Sequence, residues 1–177
     1  MSRYILVALM FLCSCGTKKT EGENATKDTI ASQNDSSAVT AGDIDTTAFE
    51  TYFIVIADTS PDYYSLQAKM FMLNKKLGIP IDTMGRYYNA SKDLIALPDD
   101  DEDEIFAGDY APRRFPSVNL SLEYLGFYTD HLMQKTIALV TGIYETEKSA
   151  DSAVSVLKQY EKNSFKEKSL IYTGCIH

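Results

Sequence analysis

The residues best suited to contact a ligand stand close together in one stretch of the chain. Arg113 and Arg114 are adjacent in a proline-bounded loop, with Phe115 after them and Tyr110 before. A guanidinium binds a carboxylate through two parallel hydrogen bonds and stacks on flat rings. This pattern predicts a surface for a carboxylate or a sugar ring, with Tyr144 as a further stacking group. The alternatives are arginines paired with nearby carboxylates and tyrosines packed between a sheet and a helix.

Side chains for catalysis are sparse. His131 lies in a polar turn and His177 is the last residue, and neither position favours a base held in fixed geometry. No Gly-x-Ser-x-Gly, His-Glu-x-x-His, phosphate-loop or dinucleotide motif occurs. Because catalysis needs several groups in one constellation, we expect a binding protein without a cofactor. A glycan hydrolase with paired carboxylates stays open, because carboxylate separation depends on the fold.

Two stretches carry potential metal ligands. Residues 99–104 are six consecutive carboxylates, but they lack the glycine and glutamate of an EF-hand loop, so we expect an exposed loop. Cys175 and His177 share one strand face, but a third ligand is missing. We therefore expect no metal. Cys175 stands in an apolar run and is expected to be a buried structural thiol.

Length and charge limit the possible classes of protein. The chain has 177 residues, of which 45% are hydrophobic, which is typical of one globular domain. The net charge of −8 argues against nucleic-acid binding, because phosphate contacts require lysine and arginine. No apolar run approaches the length of a membrane-spanning helix.

The N-terminus predicts secretion and lipidation. Residues 1–14 have a basic start and a short apolar run, as in a signal peptide. The motif Leu12-Cys13-Ser14-Cys15 resembles the lipobox of bacterial lipoproteins. This resemblance implies that Cys15 carries the lipid anchor, whose acyl chains include palmitate. Cys13 fits the motif less well, because bulky Leu12 would precede it. An ordinary signal peptide is the alternative.

The segment after the lipobox predicts a spacer. Residues 15–48 are rich in polar side chains and cannot bury enough apolar surface to order, so we expect a disordered tether between the lipid and a body at 49–177. Asp28-Thr29-Ile30 and Asp45-Thr46-Thr47 resemble O-glycosylation sites of Bacteroidota. In the resembled lipoproteins Asp after the lipidated cysteine retains the protein at the inner membrane. Here Gly16 implies the outer membrane, with the body facing the periplasm.

Hydrophobic periodicity predicts the elements of the body. Apolar runs rich in β-branched and aromatic residues indicate strands at 51–57, within 81–88, and at 93–97, 136–144 and 169–176. Residues 118–128 alternate like a strand but follow a capping serine, and we favour a helix there. A further helix is expected at 61–77, capped by Ser60 with Pro61 at its first position, and its inward residues are Leu66, Met70, Leu73 and Leu77. Another is expected at 147–162, capped by Thr146, and its inward residues are Ala150, Ala153, Val154, Leu157 and Tyr160.

The body repeats a strand–cap–helix–strand unit. This repeat predicts an α+β fold, with two βαβ halves on an antiparallel sheet in a ferredoxin-like arrangement and a long insertion between the halves. In the second half, Val140-Thr141-Gly142-Ile143-Tyr144 followed by Ala150 resembles the SPOR family, whose pattern is V-x-x-G-x-F followed by a helix with alanine. The resemblance covers residues 137–175 well and 51–81 loosely, whereas 82–135 is longer than the matching hairpin of that family.

The SPOR resemblance implies a function. Domains of that family bind peptidoglycan glycan strands that lack stem peptides, often behind an anchor and a linker. We therefore expect an envelope lipoprotein that is not an enzyme and that binds peptidoglycan glycan or an envelope protein. The alternatives are a small envelope glycan hydrolase and a structural subunit of a surface assembly.

Overall fold

The folded body consists of two sheets and two main helices. The computed structural model of the chain describes residues 48–129 and 135–175. The expected signal peptide, Cys15, the tether up to residue 47, His131 and His177 lie outside this range. The elements in chain order are β1 (Phe49–Ser60), α1 (Tyr63–Leu77), β2 (Tyr87–Asn89), β3 (Leu94–Ala96), β4 (Ser121–Tyr124), β5 (Ile137–Tyr144), α2 (Glu147–Leu157) and β6 (Phe165–Tyr172).

The main sheet has four strands in the order β4-β5-β1-β6, and every neighbouring pair is antiparallel. β1 is central and pairs along its length with β5 on one side and β6 on the other. β2 and β3 form a separate hairpin in the chain between α1 and β4. The predicted α+β class with an antiparallel sheet is therefore confirmed.

One face of the main sheet, here called the helix face, packs against α1 and α2. Leu66, Met70 and Leu73 of α1 form one apolar cluster with Val55 and Leu139 of the sheet. Because alternate residues of a strand point to opposite faces, the odd-numbered residues of β1 supply this core. Each fully buried aliphatic side chain contributes about 1.5–3 kcal/mol. The predicted apolar stripe of the first helix is thus confirmed at its first three positions, and Leu77, the fourth, is partly buried.

The opposite face of the sheet, here called the loop face, has no helix in its apolar cluster. Ile54, Ile56 and Val140 are fully buried there and pack with Tyr128, which follows β4. The loop at 112–117 also lies on this side, where Arg113 contacts Glu123 of β4. Loop residues therefore cover this side of the sheet.

The start of α1 differs from the prediction. Helix α1 begins at Tyr63 with Asp62 as its cap, because the Asp62 side chain accepts a hydrogen bond from the Tyr64 N–H. Ser60, the predicted cap, is the last residue of β1 and pairs with Ile137. Sheet pairing thus keeps Ser60 in β1, and the helix begins two residues later than predicted. The predicted end is confirmed, since Gly78 is the left-handed C-cap with φ of 69°.

The helix favoured at 118–128 is wrong. Residues Ser121–Tyr124 form strand β4, which pairs with β5, and a short 3₁₀ turn follows at Leu125–Phe127. The alternation in this segment is the decisive signal, because Leu122 and Tyr124 join the helix-face core. Ser121 and Glu123, on the alternate positions, are buried on the other side.

The boundaries of the last two elements also shift. α2 starts with Thr146 as its cap, as predicted, but it ends at Leu157 rather than at residue 162, and Tyr160 is 40% exposed rather than inward. β6 begins at Phe165, four residues before its predicted start, because it pairs with β1 from Ile56 onwards. β6 ends at Tyr172, and Cys175 lies beyond it as an exposed thiol, so the predicted buried thiol is wrong.

The remaining strands follow the pattern more closely. β5 spans nearly the predicted range, and β1 is longer than predicted at both ends. The two strand-like pieces within 81–97 contain the β2–β3 hairpin, while Ile81 forms only a parallel bridge to Leu120. The acidic run at 99–104 is a loop whose side chains are mostly exposed, as predicted. Neither helix of residues 48–129 and 135–175 is long and apolar enough to cross a membrane.

Candidate functional site

A groove of about 540 Å³ runs along the loop face beside edge strand β6. One wall is formed by residues 112–114 and the segment after β4, and the other by β6 with Phe49 of β1. This volume falls within the range of ordinary ligand pockets. Its lining residues are Phe49, Pro112, Arg113, Arg114, Phe127, Tyr128, Thr129, Glu167, Lys168, Ser169, Leu170, Ile171 and Tyr172.

Arg113 is held at the groove by a buried carboxylate. Glu123 of β4 is fully buried, and its Oε1 lies 3.2 Å from Nε of Arg113 and 3.7 Å from Nη2 of Arg86. Arg113 also donates to the side-chain oxygen of Asn119. The predicted alternative, in which arginines pair with the acidic run at 99–104, does not hold for Arg113, because its carboxylate partner is Glu123.

Hydroxyl groups complete the shell around Glu123. Ser121 donates to one carboxylate oxygen and Tyr128 donates to the other. Burial raises the pKa of Tyr128 well above its usual value, and the nearby Glu123 charge raises it further. Burial, followed by the same charge, also raises the pKa of Tyr110. Both phenols are therefore neutral: the Tyr128 hydroxyl donates to Glu123, whereas the Tyr110 hydroxyl accepts from the Tyr124 N–H.

The buried cluster carries more positive than negative charge. Arg86 and Arg113 are each only 4% exposed, and the one carboxylate paired with them is Glu123. Within the part of the chain that the structure describes, Nη2 of each arginine has no hydrogen-bond partner. Nη2 of Arg86 keeps an ion-pair distance to Glu123, whereas no such contact is found for Nη2 of Arg113. Arg113, which lines the groove, thus keeps an N–H group that can donate a further hydrogen bond.

Arg114 connects the arginine loop to the end of the chain after β6. Its Nη1 donates to the carbonyl of Gly174 at 2.9 Å, and its guanidinium lies 5.7 Å from the ring centre of Phe115. Arg114 is half-buried and lines the groove, while Phe115 is 55% exposed and borders a neighbouring depression instead. Arg114 therefore supplies an accessible charge at the groove.

The groove is basic although the protein is acidic. Arg113, Arg114 and Lys168 line it against one carboxylate, Glu167, whereas the whole chain has a net charge of −8. A concave surface of one charge sign raises the local concentration of ligands of the opposite sign. The groove therefore favours a neutral or anionic ligand.

Aromatic rings stand at the groove alongside these charges. Phe127 is 43% exposed, and Phe49 packs edge-on against Tyr172 at 5.2 Å between ring centres. The Tyr172 hydroxyl donates to the carbonyl of Cys175. Rings beside forked donors are suited to sugar rings, which present apolar faces and polar edges.

The structure brings only part of the predicted site together. Arg113 and Arg114 line the same groove, and Phe115 lies just outside it. Tyr110 is buried against Tyr124 and Phe127, where its ring also faces Arg86 at 5.1 Å, so it supports the cluster rather than the groove surface.

Tyr144 belongs to the other side of the sheet. It joins the partly buried residues of the helix-face core and lies over Gly142. A Cβ at Gly142 would come within 2.8 Å of the Tyr144 ring, so glycine leaves room for that ring. The Gly-x-Tyr part of the predicted motif thus has a packing role here, and Tyr144 does not belong to the lining of the groove that the arginine pair shares.

Several groove residues were not identified from the sequence. Lys168 and Tyr172 belong to β6. The first half of this strand lacks an apolar pattern in the sequence, because it consists largely of Lys and Glu residues. Glu123 was missed because the segment around it was expected to be a helix. Alternation from Leu120 to Tyr124 was the signal that could have placed a carboxylate on the face opposite the core.

Potential metal ligands and similarity to known proteins both bear on the identity of this site. Among residues 48–129 and 135–175, no group of three His, Cys, Asp or Glu side chains is arranged to hold a metal ion. Comparison with protein-family models, with curated proteins and with solved structures gave no match for this chain.

Proposed function

We propose that this chain is a lipid-anchored protein of the bacterial cell envelope whose body binds glycan strands of peptidoglycan without catalysing a reaction. The observation that carries this proposal is the basic, aromatic-rimmed groove on the loop face. Glycan strands offer sugar rings for stacking and polar edges for the arginine forks.

The order of the strands supports a SPOR-like, ferredoxin-like body. β1, α1 and β4 make one strand–helix–strand unit, and β5, α2 and β6 make the second. The central strands β1 and β5 are the first strands of the two units, and each last strand takes an outer position. This is the arrangement expected for two βαβ halves, with the chain between α1 and β4 as the insertion.

The insertion changes the surface that a ligand would meet. In a two-layer fold with helices on one side, the second face of the sheet is open to a ligand. Here the loop at 112–117 covers part of that face and leaves the groove beside β6. We propose that glycan binds in this groove, with Arg114 and Lys168 on its two walls.

The groove gives less support to the hydrolase alternative. A paired-carboxylate mechanism needs two acidic groups about 5–10 Å apart on either side of the bond. Glu167 is the one carboxylate in the lining, and the other nearby acid, Glu123, is fully buried between two arginines. Binding is therefore the function that the groove supports best.

The test of glycan binding is retention on purified peptidoglycan. The full chain, purified in detergent, is incubated with intact sacculi and with sacculi from which an amidase has removed the stem peptides. We expect retention to rise on the denuded material and to fall severalfold in R114A. K148A is the matched control, because Lys148 is an exposed cation on α2. No retention on either material, or equal retention of R114A, would contradict the proposal and direct the search to protein partners.

The lipid anchor is tested separately. Cys15 and Cys13 lie outside the described residues, so the proposal rests on the lipobox alone. We expect palmitate labelling and outer-membrane fractionation to be lost in C15A and kept in C13A. The reverse pattern would place the lipid on Cys13. If neither C15A nor C13A were labelled, lipidation would be contradicted.

A further inference from the structure

The buried arginine cluster at the groove, formed by Arg86, Arg113 and Glu123, carries one more positive than negative charge. Arg86 and Arg113 are buried around Glu123, and all three side chains are at most 3% exposed. Taking an ion out of water costs several kcal/mol unless nearby opposite charges and hydrogen bonds compensate it. The described residues place one carboxylate beside two guanidiniums.

The residue with the unsatisfied donor lines the groove. Arg113 lines it, is 4% exposed, and its Nη2 has no hydrogen-bond partner among residues 48–129 and 135–175. Buried donors in folded proteins are almost always hydrogen-bonded to protein, water or ligand. Arg114, the next residue, adds a second guanidinium to the same lining.

We infer that this end of the groove is an anion subsite that takes a carboxylate of the ligand between Arg113 and Arg114. Three features carry the inference: the surplus buried charge, the free Nη2 and the forked geometry of guanidinium, which matches a planar carboxylate. Asn119 accepts from the Arg113 guanidinium, and Tyr128 donates to the Arg113 backbone carbonyl, so both the side chain and the backbone of Arg113 are held. The subsite is therefore preorganised.

This inference rests on the proposed function and names the group that is recognised. Hydrolysis of the amide between the sugar and its stem peptide leaves a carboxylate on the sugar's lactyl ether. A glycan strand with its stem peptides is neutral at that atom, whereas a denuded strand carries a negative charge there. A carboxylate subsite would thus distinguish the two by charge. A phosphate group presents similar oxygen atoms, and the experiment separates these two chemistries.

The test changes the ligand rather than the buried arginine, because R113Q would remove the buried contacts of Arg113 with Glu123 and Asn119 and is expected to destabilise the fold. Denuded glycan oligomers are compared with the same oligomers after their carboxylates have been coupled to methylamine. We expect the full chain to bind the charged oligomers roughly tenfold or more tightly by calorimetry. R114Q should lose most of that difference, and K148Q should retain it. Equal affinity for both oligomers would overturn the inference and leave glycan binding intact.

A second measurement decides the inference if no glycan binds. The Nε–H resonances of Arg113 and Arg114 are followed in nitrogen-15 spectra during separate titrations with D-lactate and inorganic phosphate. Saturable shifts with lactate would support a carboxylate subsite even if the glycan proposal has failed. Shifts with phosphate alone, or with neither anion, would overturn it.

Discussion

The two faces of the main sheet are built by different means. The helix face is covered by two helices whose apolar residues recur at helical spacing, and its core is mostly aliphatic, with Leu66, Leu73 and Leu139 fully or almost fully buried. The loop face is covered by residues without such a repeat, and beside its aliphatic centre it buries Glu123 between two arginines.

This difference separates stability from recognition. Apolar packing is non-directional and stabilises a fold without selecting a ligand. Buried charges are costly and have strict geometric requirements, so their presence beside a groove supports the binding proposed there. We therefore assign the fold's main stabilisation to the helix face and its proposed binding to the loop face.

The largest expected effect comes from neutralising the buried carboxylate of the loop face. E123Q keeps the size of the side chain but leaves the guanidiniums of Arg86 and Arg113 without a counter-charge. We expect a loss of about 3–5 kcal/mol in the free energy of unfolding, measured by urea denaturation. E147Q is the matched control, since the Glu147 side chain is 63% exposed in its pair with Lys166 and should cost at most about 1 kcal/mol. Equal losses in the two variants would contradict the charged cluster.

A core truncation tests the helix face in the same assay. Leu73 is fully buried at the centre of the α1 stripe, so L73A should lose about 2–5 kcal/mol through lost burial and cavity formation. Phe71 on the same helix is 55% exposed, and F71A should change stability by about 0.5 kcal/mol or less. A larger loss in F71A would mean that the face of α1 assigned to the core is wrong.

The pH dependence of stability tests the burial of Tyr128 on the loop face. Its pKa is raised in the folded state, above all by burial and then by Glu123, so the unfolded chain loses this proton first. The contribution is present below about pH 10, the unfolded value, and is lost as pH rises beyond it. One such tyrosine adds a slope of up to about 1.4 kcal/mol per pH unit. Y128F should show a shallower decline above pH 10 than the wild type. An unchanged slope would contradict the buried phenol.

The smallest expected effect concerns the cap of α1. D62A removes the side chain that accepts from the Tyr64 N–H, so we expect a loss of about 1 kcal/mol. S60A removes the predicted cap, whose hydroxyl instead accepts from the Asp62 N–H and, at 3.4 Å, from the Ser65 hydroxyl, and it should cost less. Thermal denaturation of the two variants orders them. A greater loss in S60A would restore the cap that the sequence pattern favoured.

Regular periodicity explains which parts of the fold could be predicted. The α1 stripe, the Gly78 end, the Thr146 cap and β5 all follow from local rules of spacing and capping. The boundaries that failed depend on pairing between distant strands. Ser60 is held in β1 by Ile137, and Phe165 starts β6 because Ile56 lies opposite.

The candidate site was only partly predictable for the same reason. The arginine pair is visible in the sequence as forked donors in a proline-bounded loop. Its counter-charge, Glu123, is ten residues away from Arg113 and in a segment of mixed helix and strand signals. That partnership depends on how the insertion crosses the sheet, which no local pattern in this sequence specifies.

The most direct test of the assignment of the two faces is the footprint of the ligand on the full chain. Backbone amide shifts in nitrogen-15 spectra are followed while denuded glycan oligomers are added. We expect saturable shifts concentrated at 113–114 and 167–172, around the groove, with α2 from Ala150 to Leu157 unaffected. Shifts concentrated on the helices, with the groove unchanged, would contradict the claim that the loop face is the binding face.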